Sequence, residues 1–201
     1  MISIFDYGAG NLQSVQNTLA EIGAPYEVID DAAELRRASR IVLPGVGHFG
    51  QMLRSLDAMR VREALIERIH AGVPFLGICL GLQALFAASE EAPGLAGLGL
   101  YPETVRRFSA DARVPHMGWN EIVPHGASGQ ASRLLRNLGP RPHLYFAHSY
   151  YAPVNTATAA TCRYGVDYTA VLERDNVFGV QFHPEKSGPL GLRIVKNFVD
   201  L

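Results

Sequence analysis

Lysine, cysteine and tryptophan are the scarce residues of this chain, with two, two and one among its 201. Cys79 and Cys162 are too few for a disulfide framework, and neither stands in a C-x-x-C or Cys/His cluster that would hold zinc. That usage fits a reducing cytoplasm. Charge of one sign is missing too: 18 Lys+Arg face 19 Asp+Glu, a net charge of -1, so the chain has no surplus to grip nucleic acid or an anionic lipid surface. Long hydrophobic runs are absent. The longest, residues 73–82, is about ten residues against the roughly 18 that span a bilayer. The opening MISIFDYGAG has no basic n-region and meets Asp6 before any long apolar run, so it reads as a first strand and not as a signal peptide. The histidines His48, His116, His125, His143 and His148 form no HExxH and no pair on a helical face, so no metal site is expected. His70, in a polar stretch, reads as a solvated helix residue.

What is present suffices for a core. At 48% hydrophobic, with no repeat, low-complexity tract or dividing linker, residues 1–201 read as one domain that needs no staple. Ile2–Phe5 is β-rich and ends in a glycine turn, after which Leu12, Val15, Leu19 and Ile22 recur at helical spacing. The alternation continues: extended at 26–29, helical at 33–38, extended at 40–43, one or two helices over 49–71, the most apolar strand at 74–79, and a helix over 82–90. Strands alternating with helices imply an α/β fold, an open and largely parallel sheet with helices on both faces. After Pro93 short extended runs at 104–108, 120–123, 144–148, 157–164, 169–173 and 177–182 read as added, partly antiparallel strands. A helix over 190–201 closes the chain.

The sharpest chemical signal is Gly77-Ile78-Cys79-Leu80-Gly81, placed where a buried strand meets a helix. A nucleophile elbow needs small residues flanking the nucleophile. The following helix would favour the thiolate through its dipole, and the Leu80 N–H is placed to receive an oxyanion. A thiolate nucleophile also needs a base and a group to orient it. His183-Pro184-Glu185, following an apolar strand, supplies both. The turn Pro44-Gly45-Val46-Gly47 is a candidate for further oxyanion donors, because glycine peptides reorient freely. Gly8 and Gly10, with Asp30 and Asp31 about twenty residues on, mimic a dinucleotide fingerprint. Gln13 stands where that fingerprint requires a small residue, so no nucleotide cofactor is expected.

Together the elbow, His-Pro-Glu and the Pro-Gly-Val-Gly turn resemble the class I (triad type) glutamine amidotransferases, over nearly the whole chain. Five ordered motifs are similar to the branch of that family whose glutaminase feeds a (β/α)8-barrel cyclase in histidine biosynthesis: Asp6 to Leu12, Pro44 to Gly50, Gly77 to Gln83, His116 to Asn120, and His183 to Ser187. The resemblance implies a flavodoxin-like sheet, L-glutamine as substrate, Cys79, His183 and Glu185 as the triad, and Leu80, Val46 and Gly47 as oxyanion peptides. It implies that Gly45, Gln83, Glu91, Ser149 and Tyr150 bind glutamine. It also implies that Gly10, Asn11, Trp119, Tyr145 and Lys186 meet a cyclase subunit in a heterodimer, with no cofactor. Glutaminase activity is then expected to be low alone and to rise with the partner, because the 45–47 peptides must turn. Ser149 stands where threonine is usual and keeps the hydroxyl. Two alternatives remain: the glutaminase of pyridoxal phosphate or anthranilate synthesis, disfavoured by the motifs at 116–120 and 186–187, and a non-catalytic binding module of the same fold.

Overall fold

The computed structural model describes residues 1–8, 11–125 and 132–201. In chain order the elements are β1 (Ile2–Phe5), α1 (Leu12–Glu21), β2 (Tyr26–Ile29), α2 (Ala32–Arg37), β3 (Ile41–Leu43), α3 (Phe49–Ala58), α4 (Arg62–His70), β4 (Phe75–Ile78), α5 (Leu80–Gln83) and β5 (Phe86–Ser89). Then follow β6 (Tyr101–Arg107), β7 (His116–Glu121), β8 (Val123–Pro124), β9 (His143–His148), β10 (Tyr150–Tyr151), β11 (Thr158–Tyr164), β12 (Val166–Arg174), β13 (Val177–Val180), a 3-10 turn at Pro184–Lys186 and α6 (Gly188–Val199).

The main sheet has eight strands in the order β2-β1-β3-β4-β13-β12-β11-β8. Its pairs are parallel from β2 through β13 and antiparallel beyond. Period-two alternation decides which core each side chain joins. Ile2, Ile4, Val42, Leu76, Ile78, Phe178 and Val180 meet α1 and α6 on one face. Phe5, Ile41, Leu43, Phe75 and Val177 meet α2, α3 and α4 on the other. With both faces covered, β1, β3, β4 and β13 are buried at every position, as parallel strands must be. The expected α/β architecture with helices on both faces is what the chain forms.

The stretch expected as one or two helices forms two, and one predicted element comes out differently. The stretch 49–71 is two helices, because Arg60 takes a φ of 57° and the Arg60 and Val61 N–H groups close on the Asp57 and Leu56 carbonyls, a Schellman end. The helix predicted over 82–90 is not there. α5 is a single turn, and Phe86–Ser89 is instead a strand paired in parallel with β6. A short apolar run carries no period that separates helix from strand, and here pairing with β6 decides. Gly97 packs so tightly on this segment that a Cβ there would lie 1.9 Å from the Phe86 carbonyl oxygen.

Candidate active site

β4 and β13 are parallel neighbours in the register Gly77↔Gly179 and Ile78↔Val180, so the residues after each strand emerge side by side. Cys79 follows β4 with φ 53° and ψ -104°, and its N–H is held by the Val180 carbonyl at 2.7 Å. Such a backbone costs about 1–3 kcal/mol and persists only where packing over-determines it. Here the packing is glycine. A Cβ on Gly81 would stand 2.0 Å from the Leu43 carbonyl oxygen, one on Gly77 would stand 2.5 Å from the Gly81 carbonyl oxygen, and one on Gly45 would stand 2.7 Å from the Gly81 nitrogen. The elbow exists because β3, β4 and the turn after β3 close on one another without side chains.

His183 is delivered from β13 and clamped at its backbone. Its N–H donates to the Tyr145 carbonyl (2.8 Å). The Ser187 hydroxyl donates to the His183 carbonyl (2.6 Å) and accepts the Tyr145 N–H (3.0 Å). The 3-10 turn brings Glu185 back, so that its Oε1 accepts from His183 Nδ1 at 2.8 Å, with both side chains under 5% exposed (4% and 3%). Burial alone would lower the His183 pKa. The neighbouring Cys79 sulfur and the Glu185 carboxylate outweigh it and raise the group to about 10. With a sulfur on one side and a carboxylate on the other, the imidazole is placed for nucleophilic attack by Cys79 and proton transfer by His183.

Cys79 and His183 open on a cleft of about 310 Å3 that Val46, Gly47, Leu80, Gln83 and Glu91 also line. Ser149, Tyr150 and Lys186 line it as well. The triad and most of the expected substrate residues are thus in one place, with Gly45 packed directly beneath the Leu80–Gly81 peptide. The Gln83 amide is spent on protein, donating to the Tyr150 carbonyl (2.8 Å) and to Gln181 Oε1 (3.0 Å). Glu91 accepts the Phe49 N–H at 2.7 Å and so anchors the start of α3. The Leu80 N–H is not a free oxyanion donor in this state, since it faces the Gly45 carbonyl at 3.4 Å. Because α5 is one turn long, its aligned peptide dipoles are few, and the expected helix-dipole support of the thiolate is correspondingly small.

Of the residues expected at a partner surface, Trp119 is 58% and its strand neighbour Met117 65% exposed. Trp119 pairs across β7 and β9 with Tyr145, and the Lys186 Nζ lies 5.9 Å from the Tyr145 ring centre. Asn11 stands at the start of α1, where its side chain accepts from Ser14 Oγ, and α1 packs against the 3-10 turn that carries Lys186. Gly10 lies outside the described residues. Asp31 caps α2, accepting the Glu34 N–H at 2.7 Å, which gives it a local role in place of a ribose contact.

Sequence reading missed two buried polar groups. One is Gln181, fully buried beside Cys79. The other is a cluster of His116, His148 and Tyr168, in which the His116 Nδ1, His148 Nε2 and Tyr168 hydroxyl lie 3.2 Å from one another. Burial lowers His116 to about 4 and His148 to about 3. The cluster arises from strand register, His116 opposite His148, which residue spacing alone does not give.

A family model described as "Glutamine amidotransferase class-I" matches residues 3–201. The "Imidazole glycerol phosphate synthase subunit HisH" of Methanothermobacter thermautotrophicus is 46% identical over 202 residues, covering 100% of this chain and 98% of its own. The subunit of the same name from Moorella thermoacetica is 44% identical, covering 100% and 94%. In fold, the chain is similar to a crystal structure of a glutamine amidotransferase, with TM-score 0.76, 17% identity and coverage of 99% and 97%. It is similar likewise to PurLQS from Thermotoga maritima, with TM-score 0.73, 18% identity and coverage of 99% and 97%.

Proposed function

The chain belongs to the class I glutamine amidotransferases, and from that footing we propose that it is the glutaminase subunit of an imidazole glycerol phosphate synthase. It acts as one domain, residues 1–201, in the cytoplasm. It forms a heterodimer with a (β/α)8-barrel cyclase that consumes the ammonia. The observation that carries the reading is the buried His183, held at 2.8 Å by Glu185 and lining one cleft with Cys79. The Cys79 thiolate attacks the carboxamide carbon of glutamine. As the tetrahedral adduct collapses, the C–N bond breaks and His183 gives its proton to the departing ammonia, leaving a glutamyl thioester. His183, now neutral, takes a proton from water, the hydroxide adds to the thioester, and cleavage of the C–S bond returns glutamate and the thiolate.

The 3.4 Å contact between the Leu80 N–H and the Gly45 carbonyl supports a resting state with an incomplete oxyanion hole. Docking of the cyclase at Trp119, Tyr145, Lys186, Asn11 and Gly10 would turn the 45–47 peptides so that the Val46 or Gly47 N–H joins Leu80. The test is glutamate release from glutamine by the purified chain, alone and with a cyclase carrying its nucleotide ligand, with Cys79→Ala as control. Release that rises with the cyclase and vanishes in the variant supports both chemistry and partner. Full release by the lone chain would remove the coupling. Silence of a folded chain with a matched cyclase would remove the assignment.

A further inference from the structure

We infer that Gln181 is a further catalytic residue of this site, an amide donor that holds the Cys79 sulfur as a thiolate. The inference rests on Cys79 being the nucleophile. Gln181 follows β13 directly and is 0% exposed, and its Nε2 lies 3.6 Å from Cys79 Sγ, hydrogen-bond distance for sulfur. The orientation of its amide is fixed by its neighbours. The Tyr150 carbonyl is obligately an acceptor, so the group that Gln83 presents to it at 2.8 Å must be its NH2. The same nitrogen, 3.0 Å from Gln181, can meet only an oxygen there. Gln181 therefore offers its carbonyl to Gln83 and has its NH2 left for the sulfur.

The site needs such a donor. α5 is a single turn, and the Leu80 N–H faces a carbonyl, so neither supplies the stabilisation that an elbow cysteine ordinarily draws from the following helix. A neutral N–H that points at sulfur favours the anion over the thiol, and hydrogen bonds to charged groups are the stronger class. Unlike His183, Gln181 keeps its proton throughout the cycle. It can therefore receive the sulfur again as the thioester is hydrolysed.

The experiment alkylates Cys79 in the folded full chain with iodoacetamide, follows the Cys79 peptide by mass spectrometry, and takes the midpoint of the rate's rise with pH to its alkaline plateau, a position that access does not move. Gln181→Met removes the donor at similar volume. Gln181→Asn keeps the amide but withdraws it by one methylene, and decides the matter should the Met variant fail to fold. In both, the midpoint is expected to rise by about one pH unit, with glutamate release below that of the wild type. A wild-type midpoint in either folded variant would overturn the role of Gln181 and leave the glutaminase reading intact. A wild-type chain whose Cys79 shows no enhanced alkylation at pH 7 would instead overturn the nucleophile itself.

Discussion

Glu185→Gln removes one charge and almost no volume from a position that is 3% exposed at its side chain. The wild-type carboxylate faces His183 Nδ1 at 2.8 Å. At that separation and an effective dielectric of about 20, attraction to an imidazolium is about 6 kcal/mol. Desolvation of both partners offsets part of it, and breaking a buried pair by neutralising one member costs about 3–5 kcal/mol. The amide oxygen can still accept the Nδ1 proton, which returns about 1 kcal/mol. The net loss of about 2–4 kcal/mol falls on every state in which His183 is cationic, including the one that protonates departing ammonia. Steady-state glutamate release in the cyclase complex should therefore drop by about 30- to 1,000-fold, with KM little changed, since Glu185 does not line the cleft. Circular dichroism and thermal melting would verify that the fold is intact. Full kcat in a folded Glu185→Gln chain would refute the claim that the carboxylate sustains the imidazolium.

Gly81→Ala places a Cβ 2.0 Å from the Leu43 carbonyl oxygen; urea titration should show a loss of at least about 1–3 kcal/mol, and an unchanged midpoint would mean that β3 yields freely. Cys79→Ala deletes the neighbouring sulfur that helps raise His183 to about 10, so the His183 ring proton observed by NMR should titrate lower than in the wild type. Between pH 6.5 and about 4 the chain should lose stability through His116 and His148, which fold neutral at about 4 and about 3. The unfolded state binds the extra protons there, at about 1.4 kcal/mol per pH unit for each group. His183 has the opposite sign, its contribution full below about 6.5 and lost as pH rises through about 10. A denaturation midpoint flat from pH 6.5 to 4.5 would contradict the neutral burial of the histidine cluster.

Much of this could be read from residue order, because the site is built from short motifs at strand ends. Gly77 to Gly81 already implied a tight turn over a buried strand, and His183 followed an apolar run that could only be a strand. What stayed hidden depends on pairing between distant segments. Phe86–Ser89 has the composition of a helix continuing α5 and becomes a strand because β6 lies beside it. Gln181 sits in a run of apolar residues with nothing local to mark it, and its chemistry comes from Gln83, 98 positions away. The Leu80 N–H follows the cysteine in the motif, yet its partner depends on the conformation of a turn that glycine leaves open.

The adjacency of β4 and β13 also bears on the order in which this chain is made. Cys79 is synthesised long before His183, Glu185 and Gln181, and no local contact assembles the groups that, in the mechanism proposed above, turn its sulfur into a nucleophile. Pairing across so large a separation comes late in folding, after the loop-closure entropy has been met. Until β13 is laid beside β4, the growing chain carries an ordinary thiol. Reactivity toward glutamine, and toward adventitious electrophiles, switches on with the closure of the sheet itself.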